Sequence, residues 1–455
     1  MEGVAIKYLK AKNIKALEKQ RDSLFLILYN KYERNGESVS KINEDAYNII
    51  ISLDGSKNER DIANIMCKGD HKLFNQAKEN LNKFLDLLID SYGVEIEYLD
   101  VPDPIEIRIL GDGNNQYPSV ISLEITHRCN AKCLHCYGSY SPCNKREDNT
   151  TSILKFLEEA KLAGVRIIEF TGGEVTCHPD FLEILNKAYS LNFDLVSILS
   201  NGINWSNDLL DLLERNKDKT VVQIDLHGDN DEYLNWFMGL SLENISYTIK
   251  NNILKIHKLG VPMRVVTIIT PKNINQVENI AEWLYKNNID IYGLSPVIPV
   301  GRADRFDKNN LLFSNPENIN KMNQTILNIN KKYGEGFLYQ IRDGVYNEKN
   351  CGALTRNPSI KPDGTIKFCA MDDGSLIKSI GNVFKTDIGE IYNNNLEFLN
   401  TVKNIKAPNF LSEECSDCKN KYFCSYCIIR ALEGAKEVGV ENCKWYKNNI
   451  KTNLI

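Results

Sequence analysis

Cysteine dominates the chemistry this chain can offer. Of its 13 cysteines, Cys129, Cys133 and Cys136 fall within one short stretch, and Cys351, Cys369, Cys415, Cys418, Cys424, Cys427 and Cys443 follow in the last quarter. In a reducing compartment such clusters argue for metal ligands rather than disulfides. The first three have the spacing Cys-x3-Cys-x2-Cys and come directly after a strand-like run, Ser122–Thr126. Three thiolates that close together can wrap one corner of an iron–sulfur cubane and leave its fourth iron without a protein ligand. An open metal position is what chelation of a substrate or cofactor requires, whereas a structural site is normally closed. A zinc site, or three incidental core cysteines, is the alternative. Further on, Thr171-Gly172-Gly173-Glu174 joins two glycines, which let a ligand approach the backbone closely, to a carboxylate that complements an ammonium. The C-terminal pairs Cys415/Cys418 and Cys424/Cys427 suit a tetrahedral zinc as well as a cluster. Cys67 and Cys177 read as small buried hydrophobes, and exposed chemistry at Cys143, such as a relay to substrate, is a weaker candidate.

The elements that must position these groups follow from periodicity. From Ile121 onward the chain alternates strand candidates (Ser122–Thr126, Arg166–Thr171, Asp194–Leu199, Thr220–Leu226, Met263–Thr270, Asp290–Ser295) with helical stretches at 151–163, 180–190, 206–214, 242–258 and 275–287. A further helix, about 316–333, closes the region. Six β/α units imply a parallel sheet curled into a partial (β/α)6 barrel. Chemistry in such folds sits at the C-terminal ends of the strands, where both the cysteine loop and Gly172-Gly173-Glu174 fall. Residues 336–455 are rich in Cys, Gly and Asn, and a small domain of that kind needs metal clusters as stabilisers.

Residues 1–100 form a separate block. An apolar strand, Leu24–Tyr29, a turn at Asn35-Gly36 and a returning strand, Ser38–Ile42, precede a helix opened by Asn43-Glu44-Asp45. Asp54-Gly55 breaks that helix, Ser56-Lys57-Asn58-Glu59 begins a second with a capping-box pattern, and a third runs from about His71 to Ile89. Strands beside three short helices suggest a winged-helix-like unit. The basic opening, Lys7 to Arg21, reads by default as a solvated helix face, with contact to an acidic peptide as the other possibility. Residues 101–117, with Pro102, Pro104 and Gly111-Asp112-Gly113, read as a linker to the barrel at 118–335.

With 42% apolar and 25% charged residues the chain is globular, and 55 basic against 60 acidic side chains give a net charge of −5. No global electrostatic footprint for nucleic acid follows. No stretch approaches the ~18 consecutive apolar residues of a membrane span, and Met1-Glu2-Gly3-Val4 does not open a signal peptide. The expectation is a cytoplasmic protein.

Thr126-His127-Arg128-Cys129-Asn130 through Cys136, with His135 before the last cysteine, resembles the signature of the radical S-adenosylmethionine (SAM) superfamily. The resemblance implies that the methionyl amine and carboxylate of the cofactor chelate the fourth iron, and that Gly172, Gly173 and Glu174 receive the amine. Ser200 and Asn201 end the third strand, where the family places ribose contacts. Asp225 and His227 end the fourth; relatives commonly have Ser in place of Asp225, and an ordinary loop histidine is the alternative for His227. Arg264 would meet the cofactor carboxylate or pair with a barrel acid. Gly301-Arg302-Ala303 resembles the family's turn after the sixth strand and would frame the adenine with Val297.

The pattern from Cys351 to Cys443, with Asn350-Cys351-Gly352, resembles the SPASM extension of peptide-modifying radical enzymes, which holds two auxiliary [4Fe–4S] clusters. By that resemblance Cys415, Cys418, Cys424 and Cys443 hold the distal cluster and Cys351, Cys369 and Cys427 the proximal one. Seven cysteines do not fill eight positions, so the proximal cluster would have an open iron or borrow another ligand; Asn357 stands where some relatives have a cysteine. Residues 41–65 resemble the peptide-recognition element of ribosomal-peptide maturases, which adds a leader peptide as a strand; a DNA-binding winged helix is the alternative. Together the parts resemble sactipeptide synthases. That implies three clusters, S-adenosylmethionine, a precursor peptide, an electron donor such as flavodoxin or ferredoxin, and thioether formation through a 5′-deoxyadenosyl radical. Alternatives are a C–C or C–O cross-link, formylglycine formation, or a metal-containing DNA-binding regulator.

Overall fold

The computed structural model describes residues 7–30, 37–67, 70–144, 147, 149–289, 291–305, 308–313, 316–334, 336–339, 351–372 and 377–450. The expected turn at Asn35-Gly36, the start of the sixth barrel strand at Asp290, and Asn350 lie outside them. The chain divides into two compact units, residues 1–116 and 117–455.

In the first unit the basic opening is not a helix. Tyr8–Ala11 and Ile14–Gln20 are strands, because Leu9, Ala11 and Leu17 are apolar positions that reach the core. Their lysines instead pair with acids, Lys10 with Asp103 at 2.5 Å and Lys15 with Glu37 at 2.8 Å. Ser23–Tyr29 pairs antiparallel with Ile14–Gln20 on one side and Glu37–Ile42 on the other. Ile109–Leu110 extends that sheet beside Ile14–Gln20, and Ile96–Leu99 pairs with Tyr8–Ala11. Part of the segment read as a linker is thus strand, its register fixed by partners 90 residues away in sequence rather than by its own Pro and Gly content. The helices are Glu44–Ile50, Glu59–Met66 and Phe74–Tyr92. Asn43 caps the first as expected. The second has its capping box two residues later than expected, on Asn58 and Asp61, because Asp54–Asn58 is drawn into a strand.

The second unit contains the parallel sheet: Val120–Thr126, Ile167–Gly172, Leu195–Ser200, Thr220–Asp225, Met263–Ile269 and Tyr292–Pro296, each hydrogen-bonded to the next. The helices expected between them are Thr150–Leu162, Phe181–Ser190, Asn207–Arg215, Ile245–Lys258 and Val277–Lys286, with Pro316–Tyr333 after the sixth strand. This is the open α/β barrel expected. Alternate strand residues such as Ile121, Leu123, Ile125, Ile168 and Phe170 are buried in the layer shared with the helices, each worth ~1.5–3 kcal/mol relative to exposure. The intervening residues are polar and bond to one another inside: Ser122 Oγ donates to Glu169, and Arg264 to Gln223. Two features go beyond the sequence reading. A helix, Asp231–Met238, follows the fourth strand. Among the described residues the sheet has nine strands, because Leu338–Tyr339 adds to one edge and the C-terminal pair Ser359–Ile360 and Ile366–Lys367 adds beside Val120–Thr126.

Candidate cluster and cofactor site

Beyond Thr126 the chain leaves the first strand and forms the cysteine loop, which other elements grip by its backbone. Gly173 N–H donates to Thr126 O at 2.7 Å and Glu174 N–H to Arg128 O at 3.0 Å. A Cβ at Gly173 would lie 2.2 Å from Arg128 O, so only glycine allows this approach. On the other side, the last carbonyls of Asp231–Met238 accept from the loop: Lys132 N–H donates to Met238 O and Leu134 N–H to Phe237 O, both at 2.8 Å. Orphan carbonyls at a helix C-terminus thus become acceptors for the loop. From the sixth strand's exit, Arg302 donates through Nη1 to Cys133 O at 2.5 Å and through Nη2 to Tyr140 O at 2.6 Å. The turn Gly301-Arg302 thus grips the loop from this side.

The loop brings its thiols together. Burial pushes the Cys129 thiol up to about 12, with Cys136 adding to the effect, and Cys133 rises too, with Cys129 and Cys136 bearing on it. Asn130 Nδ2 and His135 Nδ1, both in this loop, are buried and lack hydrogen-bond partners. Three thiols on one loop that bear on one another, with orphaned polar atoms in the same loop, suit a bound cluster and its ligand. Asp225, at the end of the fourth strand, also bears on Cys133 and accepts from Gln223 at 3.0 Å. Gln223 is in turn the acceptor for Arg264, which links Arg264 to this barrel acid.

Glu174, almost wholly buried, is the junction of the site. Its carboxylate accepts from Ser200 Oγ, Asn201 N–H and Thr176 Oγ1, each at 2.8 Å. Burial raises its carboxyl above the usual range, and these donors pull it back. Asn201 Nδ2 donates to Asn130 Oδ1 at 2.6 Å and lies 3.9 Å from the Cys129 sulfur. The structure thus connects Cys129, Glu174, Ser200 and Asn201. His227 is buried; Ile268 N–H donates to its Nδ1, and its ring meets His135 edge-on at 4.8 Å. Burial depresses both imidazoles, His135 to about 4. Val297 is buried directly after the sixth strand.

Cys67 is a small core residue packed with Ala63 and Ala77. Cys177 is not: it is half-buried, the Asn130 N–H points at its sulfur, and it bears on Cys129. Sequence reasoning missed it, although its place three residues after Glu174 was a signal. Cys143 is exposed.

The C-terminal cysteines fall into two groups. Burial raises the Cys369 thiol, and Cys351 and Cys427 both add to the rise. Burial takes Cys424 to about 12, with Cys418, Cys443 and Cys415 contributing. A cavity of about 420 Å³ is lined by Cys415, Cys418, Cys424 and Cys443. A side chain at Gly434 would strike the Cys424 sulfur at 2.4 Å. Four thiols around a cavity fit a cluster whose iron corners each take one thiolate. Asp372, fully buried and three residues past Cys369, bears on that thiol and was not foreseen.

Among the described residues no helix is long and apolar enough to cross a membrane. A model of the radical SAM superfamily matches residues 123–284, and one of the SPASM iron–sulfur cluster-binding domain matches 351–419. The chain is 27% identical over 434 residues to the antilisterial bacteriocin subtilosin biosynthesis protein AlbA of Bacillus subtilis, covering 92% of each. It is 26% identical over 198 residues to the sporulation killing factor maturation protein SkfB of the same organism, covering 43% of this chain and 47% of SkfB. The crystal structure of Streptococcus suis SuiB bound to S-adenosylmethionine has the same fold, with a TM-score of 0.60 at 14% identity over 93% of this chain and 96% of that one. With its cysteine loop, Gly-Gly-Glu strand end and paired C-terminal cysteine groups, the chain carries a radical SAM domain over residues 123–284 and a SPASM domain over 351–419.

Proposed function

We propose that this enzyme installs thioether cross-links, cysteine sulfur to carbon, in a ribosomally made precursor peptide. The observation that carries the proposal is the division of ten cysteines into a loop of three beside Glu174 and C-terminal groups of three and four. The likeness to AlbA along 92% of both chains supports the substrate class. SuiB, also described bound to a precursor peptide, shares the fold.

Cys129, Cys133 and Cys136 would hold a [4Fe–4S] cluster, and two more would lie on Cys351, Cys369 and Cys427 and on Cys415, Cys418, Cys424 and Cys443. When bound, the clusters and S-adenosylmethionine supply a 5′-deoxyadenosyl radical that takes hydrogen from the peptide, and an acceptor for the electron left over. Gly172, Gly173 and Glu174 would orient the methionyl amine, and Ser200, Asn201, Asp225 and His227 the ribose. Val297 would border the adenine. Arg264, held by Gln223 through one edge of its guanidinium, would act on the cofactor carboxylate. Seven C-terminal cysteines leave one of eight positions for a peptide thiolate or for a carboxylate such as Asp372. The first unit, 1–116, would take the precursor's leader, and a flavodoxin or ferredoxin would deliver electrons.

The test is anaerobic incubation of reconstituted enzyme, reductant and S-adenosylmethionine with the short Cys-containing peptide encoded beside the gene. High-resolution mass spectrometry is expected to show loss of two hydrogens per bond, with the cysteines protected from alkylation. The same loss with free thiols would replace the thioether by a carbon-centred cross-link. An unchanged peptide despite deoxyadenosine production would remove the substrate.

A further inference from the structure

Arg302 is only 7% exposed, and its guanidinium is spent entirely on neutral acceptors of the cysteine loop, Cys133 O and Tyr140 O. Its own N–H donates to Cys136 O at 2.9 Å. Gly301 before it adopts φ +61°, and a Cβ there would lie 2.0 Å from Tyr137 O, so the turn is pressed against the loop. Among the described residues no carboxylate pairs with Arg302. Two other buried cations of this unit face acids: Lys367 meets Glu124 at 2.6 Å and Arg166 meets Asp194 at 3.4 Å.

A guanidinium does not shed its proton in proteins, and a buried charge without a countercharge is strongly unfavourable. The cysteine loop itself offers a source of the missing negative charge. Arg302 acts electrostatically on Cys133 and Cys136, the residues whose carbonyls it holds. Three thiolates on a cluster there would supply the countercharge.

We propose that Arg302 is a positioning residue and the counter-cation of the cluster held by Cys129, Cys133 and Cys136. Its two-pronged donor fixes the loop, and its charge favours the reduced cluster, because reduction adds a negative charge beside a fixed positive one. Arg302 thereby raises the reduction potential and eases entry of the electron. The inference rests on the radical SAM domain, not on the peptide substrate, and its test involves no peptide.

The test compares full-length R302K and R302Q. Both lose the two-pronged geometry; only R302K keeps the charge. Redox titration would follow the EPR signal that changes on adding S-adenosylmethionine, which singles out the open cluster. At a fixed solution potential R302Q is expected to have a reduced-to-oxidised ratio about tenfold below wild type, equivalent to about 59 mV for one electron, with R302K close to wild type. Thermal unfolding gives an independent readout. Without clusters R302Q should be at least as stable as R302K, and with clusters the order should reverse. Wild-type potential in R302Q, or the same stability order in both states, would overturn the proposal. Should R302Q take up no cluster at this site, R302K must still do so; equal loss of iron in the two variants would also overturn it.

Discussion

Glu174 collects three 2.8 Å hydrogen bonds, two from the end of the third strand and one from the turn after its own strand, so its carboxylate ties these two loops together. Hydrogen bonds to a charged group contribute ~1.5–3 kcal/mol each. E174Q is therefore expected to weaken S-adenosylmethionine binding by about tenfold or more, measured by equilibrium dialysis, while iron content changes little. G173A acts on the other side. Its Cβ would meet Arg128 O, and iron analysis should show the loop's cluster depleted. Both residues were legible because glycines and a carboxylate at a strand end form a local motif. The grips made by Arg302 and Lys132 were not, since their partners are backbone carbonyls more than 100 residues away, which carry no side-chain signature. Cys177 was misjudged for a related reason, its neighbour Asn130 lying on another element.

Among the elements, the six barrel strands and their helices stood close to their expected bounds, because strong apolar periodicity covers each of them. The helix Asp231–Met238 did not stand out: it is short, and Tyr233, Leu234, Phe237 and Met238 give it a run of buried residues. Yet it ends at the loop, and Gly239 closes it in the left-handed region (φ +61°), with Lys132 O 2.8 Å from where a Cβ would be. G239A should reduce iron at the first site, with the far-ultraviolet circular dichroism of the barrel unchanged. In the first unit, Asn58 caps Glu59–Met66 through bonds of 2.9 and 3.0 Å to Arg60 and Asp61 N–H. N58A should cost about 1 kcal/mol, seen as a lower urea midpoint for residues 1–116. The strands at Tyr8–Ala11 and Ile14–Gln20 escaped notice because lysines at alternate positions hid the apolar alternation beneath them.

At the scale of the second unit, one buried ion pair ties the C-terminal cysteine region to the barrel. Lys367, two residues before Cys369, meets Glu124 on the first strand, which also accepts from Tyr140 at 2.8 Å. Removing one partner of such a pair typically costs ~3–5 kcal/mol, because the other charge is left buried. K367M should show a loss of that order in urea unfolding, and K367M/E124Q should recover part of it. This contact spans 243 positions, beyond anything periodicity encodes. The same long reach has a consequence during synthesis. The loop bearing Cys129, Cys133 and Cys136 leaves the ribosome early, but its grips at Met238 and Arg302, and the strand Ser359–Ile360 that flanks its base, emerge much later. The nascent chain thus exposes three reactive thiols through the making of more than 160 further residues, and iron delivery must wait, or be chaperoned, until the barrel has closed around them.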